Sequence, residues 1–154
     1  MVRTAGEIVS LYSLTSCIGC GKCDKVCPSG RNGGIHPDAT IRAILDSDPS
    51  SDMSALHAES WRCLMCHRCS MNCPKEIDVA GAIRSIRYDS ASSGGSPRRF
   101  KKASDTLVTE GRAFPVNDHV NQKREELGLN RIENDEASVM ELRTIMSRTG
   151  FRDE

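Results

Sequence analysis

The sequence predicts a mainly α-helical chain built on two metal-binding loops and completed by a helical tail. Three observations carry this. Apolar residues recur at three- and four-residue steps in several segments. No run makes a convincing strand by alternating apolar with polar residues. The stretch CIGCGKCDKVCP at residues 17–28 returns as CLMCHRCSMNCP at residues 63–74, with every cysteine and the closing proline at the same spacing.

Residues 5–15 (AGEIVSLYSLT) place Ile8, Val9, Leu11, Tyr12 and Leu14 on roughly one helical face, so a helix leads into the first repeat. Between the repeats, HPDATIRAILDSD reads as a helix entered through Pro37 and stopped before Pro49, because proline suits a first turn and breaks an interior. A third helix covers 52–60 and delivers Trp61 to the second repeat. After Pro74, IDVAGAIRSIRYDS sets Ile77, Ala80, Ile83, Ile86 and Arg87 at helical steps. The run SASSGGS at 90–96 has no apolar period and reads as a flexible connector. It divides a cluster-bearing domain, residues 1–90, from a tail, residues 91–154. The tail is expected to hold a helix near 97–110 ending at Gly111, a loop through AFPVNDH and a charged helical piece QKREELGLN. A last helix, ASVMELRTIMSRTGF, carries the stripe Val139, Leu142, Ile145 and Met146. Gly150 followed by Phe151 fits its C-cap.

Composition narrows the function. Only 38% of the 154 residues are hydrophobic and 4% aromatic, so the apolar core is modest and something else must help hold the chain together. The eight cysteines all fall inside the repeats, as metal ligands in a reducing cytoplasm would, rather than spread like a disulfide framework. Lys plus Arg and Asp plus Glu both number 21, which gives no general attraction to nucleic acid. The first sixteen residues are neither a signal-peptide core nor an anchor. No window approaches the roughly twenty apolar residues of a membrane helix. No strand leads into G-x-G-x-x-G, so a dinucleotide or flavin site is not expected, and no residue is assigned a catalytic role.

Each repeat is C-x2-C-x2-C-x3-C-P, the ligand run of bacterial ferredoxins that carry [4Fe–4S] clusters, in which the fourth cysteine serves the other cluster. Two-residue steps let three thiolates wrap three corners of a cube, and the fourth corner lies too far for the same turn. The predicted sets are Cys17, Cys20, Cys23 and Cys73 for one cluster, and Cys63, Cys66, Cys69 and Cys27 for the other. Zinc in paired knuckles and disulfides are the alternatives, but neither uses a third cysteine at the same step with a trailing Cys-Pro, repeated. With every iron fully ligated, no site is left open for substrate, so the pattern describes an electron wire.

Other residues carry less. His67 between two ligands is read as a solvent-facing loop residue in preference to one that tunes its cluster, and His36, His57 and His119 are isolated. Trp61 is either a core aromatic or a shield for a cluster. PRRFKK at 97–102 reads as a solvated basic face. Arg62 and Arg68 beside the second repeat, against Lys22, Lys25 and Asp24 in the first, predict a higher potential for the second cluster and place it on the acceptor side.

Two such repeats separated by a helical insertion, the second introduced by tryptophan and followed by an Ile-Asp helix, resemble the C-type iron–sulfur subunits of heterodisulfide reductase. The tail segments GRAFPVNDHVNQKREELGL and LRTIMSRTGF resemble that family too. The resemblance implies the helical ferredoxin fold shared with the iron–sulfur subunits of succinate dehydrogenase and fumarate reductase. It also implies two [4Fe–4S] clusters and a cytoplasmic, non-catalytic electron-transfer role within a larger complex. Electrons would pass from a flavin-bearing A-type subunit to a cysteine-rich B-type subunit that reduces the mixed disulfide of coenzyme M and coenzyme B. The eight cysteines are the positions that carry over, and residues 91–154 become a partner-docking extension. Two other functions compete: the iron–sulfur subunit of a different oxidoreductase, lactate- or glycolate-oxidase-like or quinone-linked, and a non-redox module stapled by metal.

Overall fold

The computed structural model describes residues 3–133 and 135–149 and forms two compact units, Met1–Ser96 and Pro97–Glu154. Among the described residues the regular structure is helical and no strand is present. The first unit runs α1 (Ala5–Leu11), α2 (Lys22–Lys25), α3 (Pro37–Asp46), α4 (His57–Ser60), α5 (Arg68–Met71) and α6 (Val79–Ser92). It is an internal duplication: a helical lead-in, a cysteine loop ending in a one-turn helix, then a long helix. α1, α2 and α3 form the first copy; α4, α5 and α6 form the second.

α1 is opened by a capping box in which Thr4 and Glu7 exchange hydrogen bonds with each other's backbone N–H. It stops at Leu11 because Ser13 takes a left-handed conformation, and a 3-10 turn, Leu14–Ser16, carries the chain into the first repeat. The helix expected over 5–15 is therefore shorter, and Leu11 falls off the buried face at 58% exposure. The segment expected as a helix over 52–60 is a 3-10 turn, Ser54–Leu56, continued by the single turn of α4. Asp52 Oδ1 accepts from Ser54 N–H and fixes where it starts. Pro37 sits in the first turn of α3, as its ring favours.

α6 is longer than its apolar period suggests and takes in Ser90–Ser92 of the expected connector. Ser90 is buried and receives Trp61 Nε1–H at 2.9 Å, so a tertiary contact holds the last turn that composition assigns to a flexible run. Isoleucines dominate the core: Ile8, Ile35, Ile41, Ile44, Ile83 and Ile86 are at most 2% exposed, with Leu14 beside them. Each such side chain contributes about 1.5–3 kcal/mol by burial. α3 and α6 pack against each other across this core, with α1 on α3 and α4 on α6.

The second unit holds α7 (Arg98–Glu110), α8 (Asp118–Glu126) and α9 (Glu136–Arg148). α7 ends at Gly111 in the left-handed C-cap conformation, φ 71°. The loop expected through His119 gives way at Asp118, because the Asn117 side chain accepts from Val120 N–H and starts α8. Asn121 clips α8 to the following loop, donating to Ile132 O and accepting from Ile132 N–H. The stripe on α9 is only part-covered: Val139, Leu142 and Met146 are half-buried and Ile145 is exposed. The expected cap at Gly150 and Phe151 lies outside the described residues. Arg98, Arg99, Phe100, Lys101 and Lys102 form the exposed start of α7.

Gly81 lies in the first turn of α6, where an added Cβ would run into the Asp78 carboxylate and come within 2.6 Å of the Tyr12 ring. Gly81→Ala is expected to cost about 1–3 kcal/mol through overpacking, outweighing the helix-propensity gain of about 1 kcal/mol. Denaturant unfolding of the metal-loaded chain measures it, and an unchanged midpoint would contradict the close approach of Tyr12 and Asp78 to the start of α6.

Candidate metal centres

Two cavities open beside the N-terminal turns of α3 and α6. One is lined by Cys17, Cys20, Cys23 and Cys73, with Ile18, Lys22, Asp38, Lys75 and Val79 around them. The other is lined by Cys27, Cys63, Cys66 and Cys69, with Pro37, Leu64, His67, Arg68 and Ala80. Each cavity thus gathers three cysteines from one repeat and the fourth from the other. Among the described residues no three His, Cys, Asp or Glu side chains are placed to hold a single metal ion. A cube with irons at its corners needs its thiolates further apart than one ion does. Cys20 and Cys66 are exposed, Cys27 and Cys69 buried, and the rest half-buried.

The loops take this shape through two left-handed residues each. Gly19 (φ 63°) and Gly21 (φ 65°) hold those positions in the first repeat, and Met65 (φ 53°) and His67 (φ 58°) hold them in the second. Such a backbone turns successive N–H groups toward the concave side, where an anion binds. Met65 N–H donates to Cys63 Sγ at 3.4 Å and Gly30 N–H to Cys27 Sγ at 3.3 Å. Glycine adopts the left-handed conformation freely, whereas a side chain there costs about 1–2 kcal/mol. His67, read from sequence as a solvent-facing loop residue, instead stands half-buried at the wall of the second cavity.

The residue after the third cysteine of each repeat ties its loop to the long helix that follows. Asp24 Oδ1 accepts from Asp38 N–H, the second residue of α3, at 2.7 Å. Ser70 Oγ accepts from Ala80 N–H, the second residue of α6, at 2.9 Å. These remote caps satisfy helix N-termini that a neighbouring side chain would ordinarily cap. On α6 a local cap joins in: Asp78 Oδ1 accepts from Gly81 N–H at 2.9 Å and from Ser70 Oγ at 2.8 Å. The positive ends of both helix dipoles consequently face the cavities, a favourable field for an anionic cluster. The sequence shows Asp24 only as a charge in the first repeat and gives Ser70 no role, although both are capping residue types at matching places in the duplication.

Electrostatics separates the thiols. Burial, reinforced by the Asp38 and Asp24 carboxylates, pushes the Cys23 thiol up to about 12. Burial, with Cys63 adding to it, pushes Cys69 up to about 11. Burial also raises Cys63, opposed by the Met65 N–H and the Arg87 guanidinium. Without metal these thiols keep their protons at neutral pH, so metal binding displaces them.

Comparison with known proteins defines the class first. A family model described as a 4Fe-4S dicluster domain matches residues 13–77. With eight cysteines in two such runs, this is an iron–sulfur electron-transfer protein carrying two [4Fe–4S] clusters on a helical ferredoxin-type fold. The chain is 30% identical over 142 residues to the C-type subunit of a CoB-CoM heterodisulfide reductase of Methanosarcina acetivorans, covering 90% of this chain and 86% of that one. It is 32% identical over 117 residues to the C-type subunit of the ferredoxin:CoB-CoM heterodisulfide reductase of Methanosarcina mazei, covering 76% and 71%. A shorter match, 30% over 100 residues, is to the fumarate reductase iron-sulfur subunit of Escherichia coli, covering 58% and 41%. The chain belongs to the family of C-type heterodisulfide reductase subunits and is one component of a complex. Among the described residues no helix is long and apolar enough to cross a membrane.

Gly21→Ala is expected to cost about 1 kcal/mol although a Cβ there meets nothing within 4 Å, because only the backbone conformation is penalised. His67→Gly should return a smaller gain. Anaerobic denaturant titration of the loaded chain reads both, and two neutral results would remove the argument from left-handed strain.

Asp78 gives a pH dependence. Burial alone would raise its carboxyl, but the hydrogen bonds from Gly81 N–H and Ser70 Oγ hold it below the ordinary value. A depressed folded value means stability that is present above the unfolded carboxyl's titration near pH 4 and lost as pH falls through the lower folded value. Asp78→Ala should cost about 1 kcal/mol at pH 7 and remove that part of the acid dependence. Parallel loss slopes in both proteins below pH 4 would count against it.

Proposed function

We propose that the two cavities are the cluster sites. Cys17, Cys20, Cys23 and Cys73 hold one [4Fe–4S] cluster; Cys63, Cys66, Cys69 and Cys27 hold the other. The observation that carries this reading is the composition of each cavity wall, three cysteines of one repeat and the last of the other. A bound cluster supplies reversible one-electron storage. The chain supplies thiolates, N–H donors to sulfur, helix N-termini and an apolar wall that keeps water back.

In this reading the protein is a cytoplasmic electron relay of methanogenesis. It carries electrons from a flavin-bearing A-type subunit to a cysteine-rich B-type subunit that reduces the coenzyme M–coenzyme B heterodisulfide. The relatives' names as subunits of such reductases support the assignment. The chain itself has no catalytic residue in this scheme, so the isolated protein should not reduce the heterodisulfide. The first unit forms the cluster domain, its end lying past α6 rather than at residue 90, and the second unit forms an extension that docks partners. Its exposed Phe114, Leu127 and Met140 supply apolar surface for that role.

Cross-ligation has a direct test. Cys73→Ala should lose the same electron paramagnetic resonance signal as Cys20→Ala, and Cys27→Ala the same signal as Cys66→Ala. In each case bound iron should fall from eight per chain, two clusters of four, toward four. If Cys73→Ala instead shares its lost signal with Cys66→Ala, each repeat ligates its own cluster and the assignment is wrong.

A further inference from the structure

Charged side chains adjoin both cavities, and their exposure sorts them. Lys22 and Lys75 at the first cavity and Arg68 at the second are exposed, so water and salt screen them. Two others are more sheltered and opposite in sign. Asp38, in the first turn of α3, lines the first cavity with its side chain only 16% exposed and pairs with Arg42 at 2.6 Å. Asp24 lies behind the same loop. Arg87, on α6, is half-buried behind the second loop. Its guanidinium donates to Ser60 O at 2.7 Å and Cys63 O at 2.5 Å and stands 5.0 Å above the Trp61 ring. Where the duplication puts Asp38 at the second residue of α3, it puts the uncharged Ala80 at the second residue of α6.

Reduction adds negative charge to a centre that is already anionic. A sheltered carboxylate therefore disfavours it and a sheltered guanidinium favours it. We propose that Asp38 and Arg87 set the two clusters at different reduction potentials, Asp38 holding the Cys17, Cys20, Cys23, Cys73 cluster low and Arg87 holding the Cys27, Cys63, Cys66, Cys69 cluster high. An electron entering the chain then rests on the second cluster. The inference rests on the ligand sets proposed above and adds the residues that make the two sites unequal. Arg87 acts as a positioning residue too, since it fixes two carbonyls of the second loop, and the test must separate charge from geometry.

Anaerobic redox titration of the loaded chain, followed by electron paramagnetic resonance, makes the measurement. The Cys20→Ala and Cys66→Ala variants assign each signal to its cluster. Asp38→Asn should raise only the first cluster's midpoint and Arg87→Met should lower only the second's. Each should shift by about tenfold in the reduced-to-oxidised ratio at fixed potential, about 59 mV for a one-electron couple. Arg87→Lys should restore most of the loss. Eight irons per chain with both midpoints unmoved, or both variants moving the same cluster, would overturn the proposal and leave the ligand sets standing. Wild-type iron well below eight would remove the ligand reading and this proposal with it. If Arg87→Met does not fold, the near-isosteric Asp38→Asn decides alone.

Discussion

The rest of the first unit depends on one constraint: neither cysteine cavity can close within a single repeat. A loop with two-residue steps brings three thiols to one point and carries the fourth, ahead of its proline, to the other side. The repeats must therefore face each other with their ends exchanged. Ser29 Oγ, just past the first repeat, donates to Arg62 O, just before the second, at 2.6 Å and fixes that juxtaposition. α3 and α6, which leave the exchanged ends, are consequently brought side by side, and the isoleucine core is what fills the space between them. A chain so poor in aromatic residues can hold this arrangement because metal binding free energy adds to the folding free energy.

The duplication is close but unequal. The two loops share their left-handed positions, their one-turn helices and their remote caps, and they differ in what stands at those places. Glycines become Met65 and His67, the capping Asp24 becomes Ser70, and Asp38 gives way to Ala80. A common backbone with changed side chains gives two sites of one shape and different electrostatics.

Much of this is legible in the sequence, for a physical reason. Cysteine spacing is set by the reach of a backbone turn, so it encodes both the cavity and the exchange of its fourth wall. Proline and the apolar period place α3 and α6 in the same way. The parts that are not legible rest on contacts between segments distant in sequence. Ser90 belongs to α6 because Trp61 reaches it, and α1 ends early because Ser13 turns left-handed. Arg87 is readable only as one more residue on a helical face; that it lies behind Cys63 comes from the packing of α4 on α6. His67 escapes sequence reasoning because a loop position between two cysteines does not reveal which way its backbone turns.

The exchanged ends also bear on how the protein is made. A growing chain that has released only its first repeat presents Cys17, Cys20 and Cys23 with no fourth wall, and Cys27 beside nothing that needs it. The first cavity waits for Cys73 and the second for Cys69, more than forty residues further along the chain. Neither cavity has all four of its cysteines until the second repeat has been made, and the two sets are completed within four residues of each other, at Cys69 and Cys73. A chain cut short anywhere between the repeats is left with no finished site, and half-built protein is therefore easily distinguished from whole.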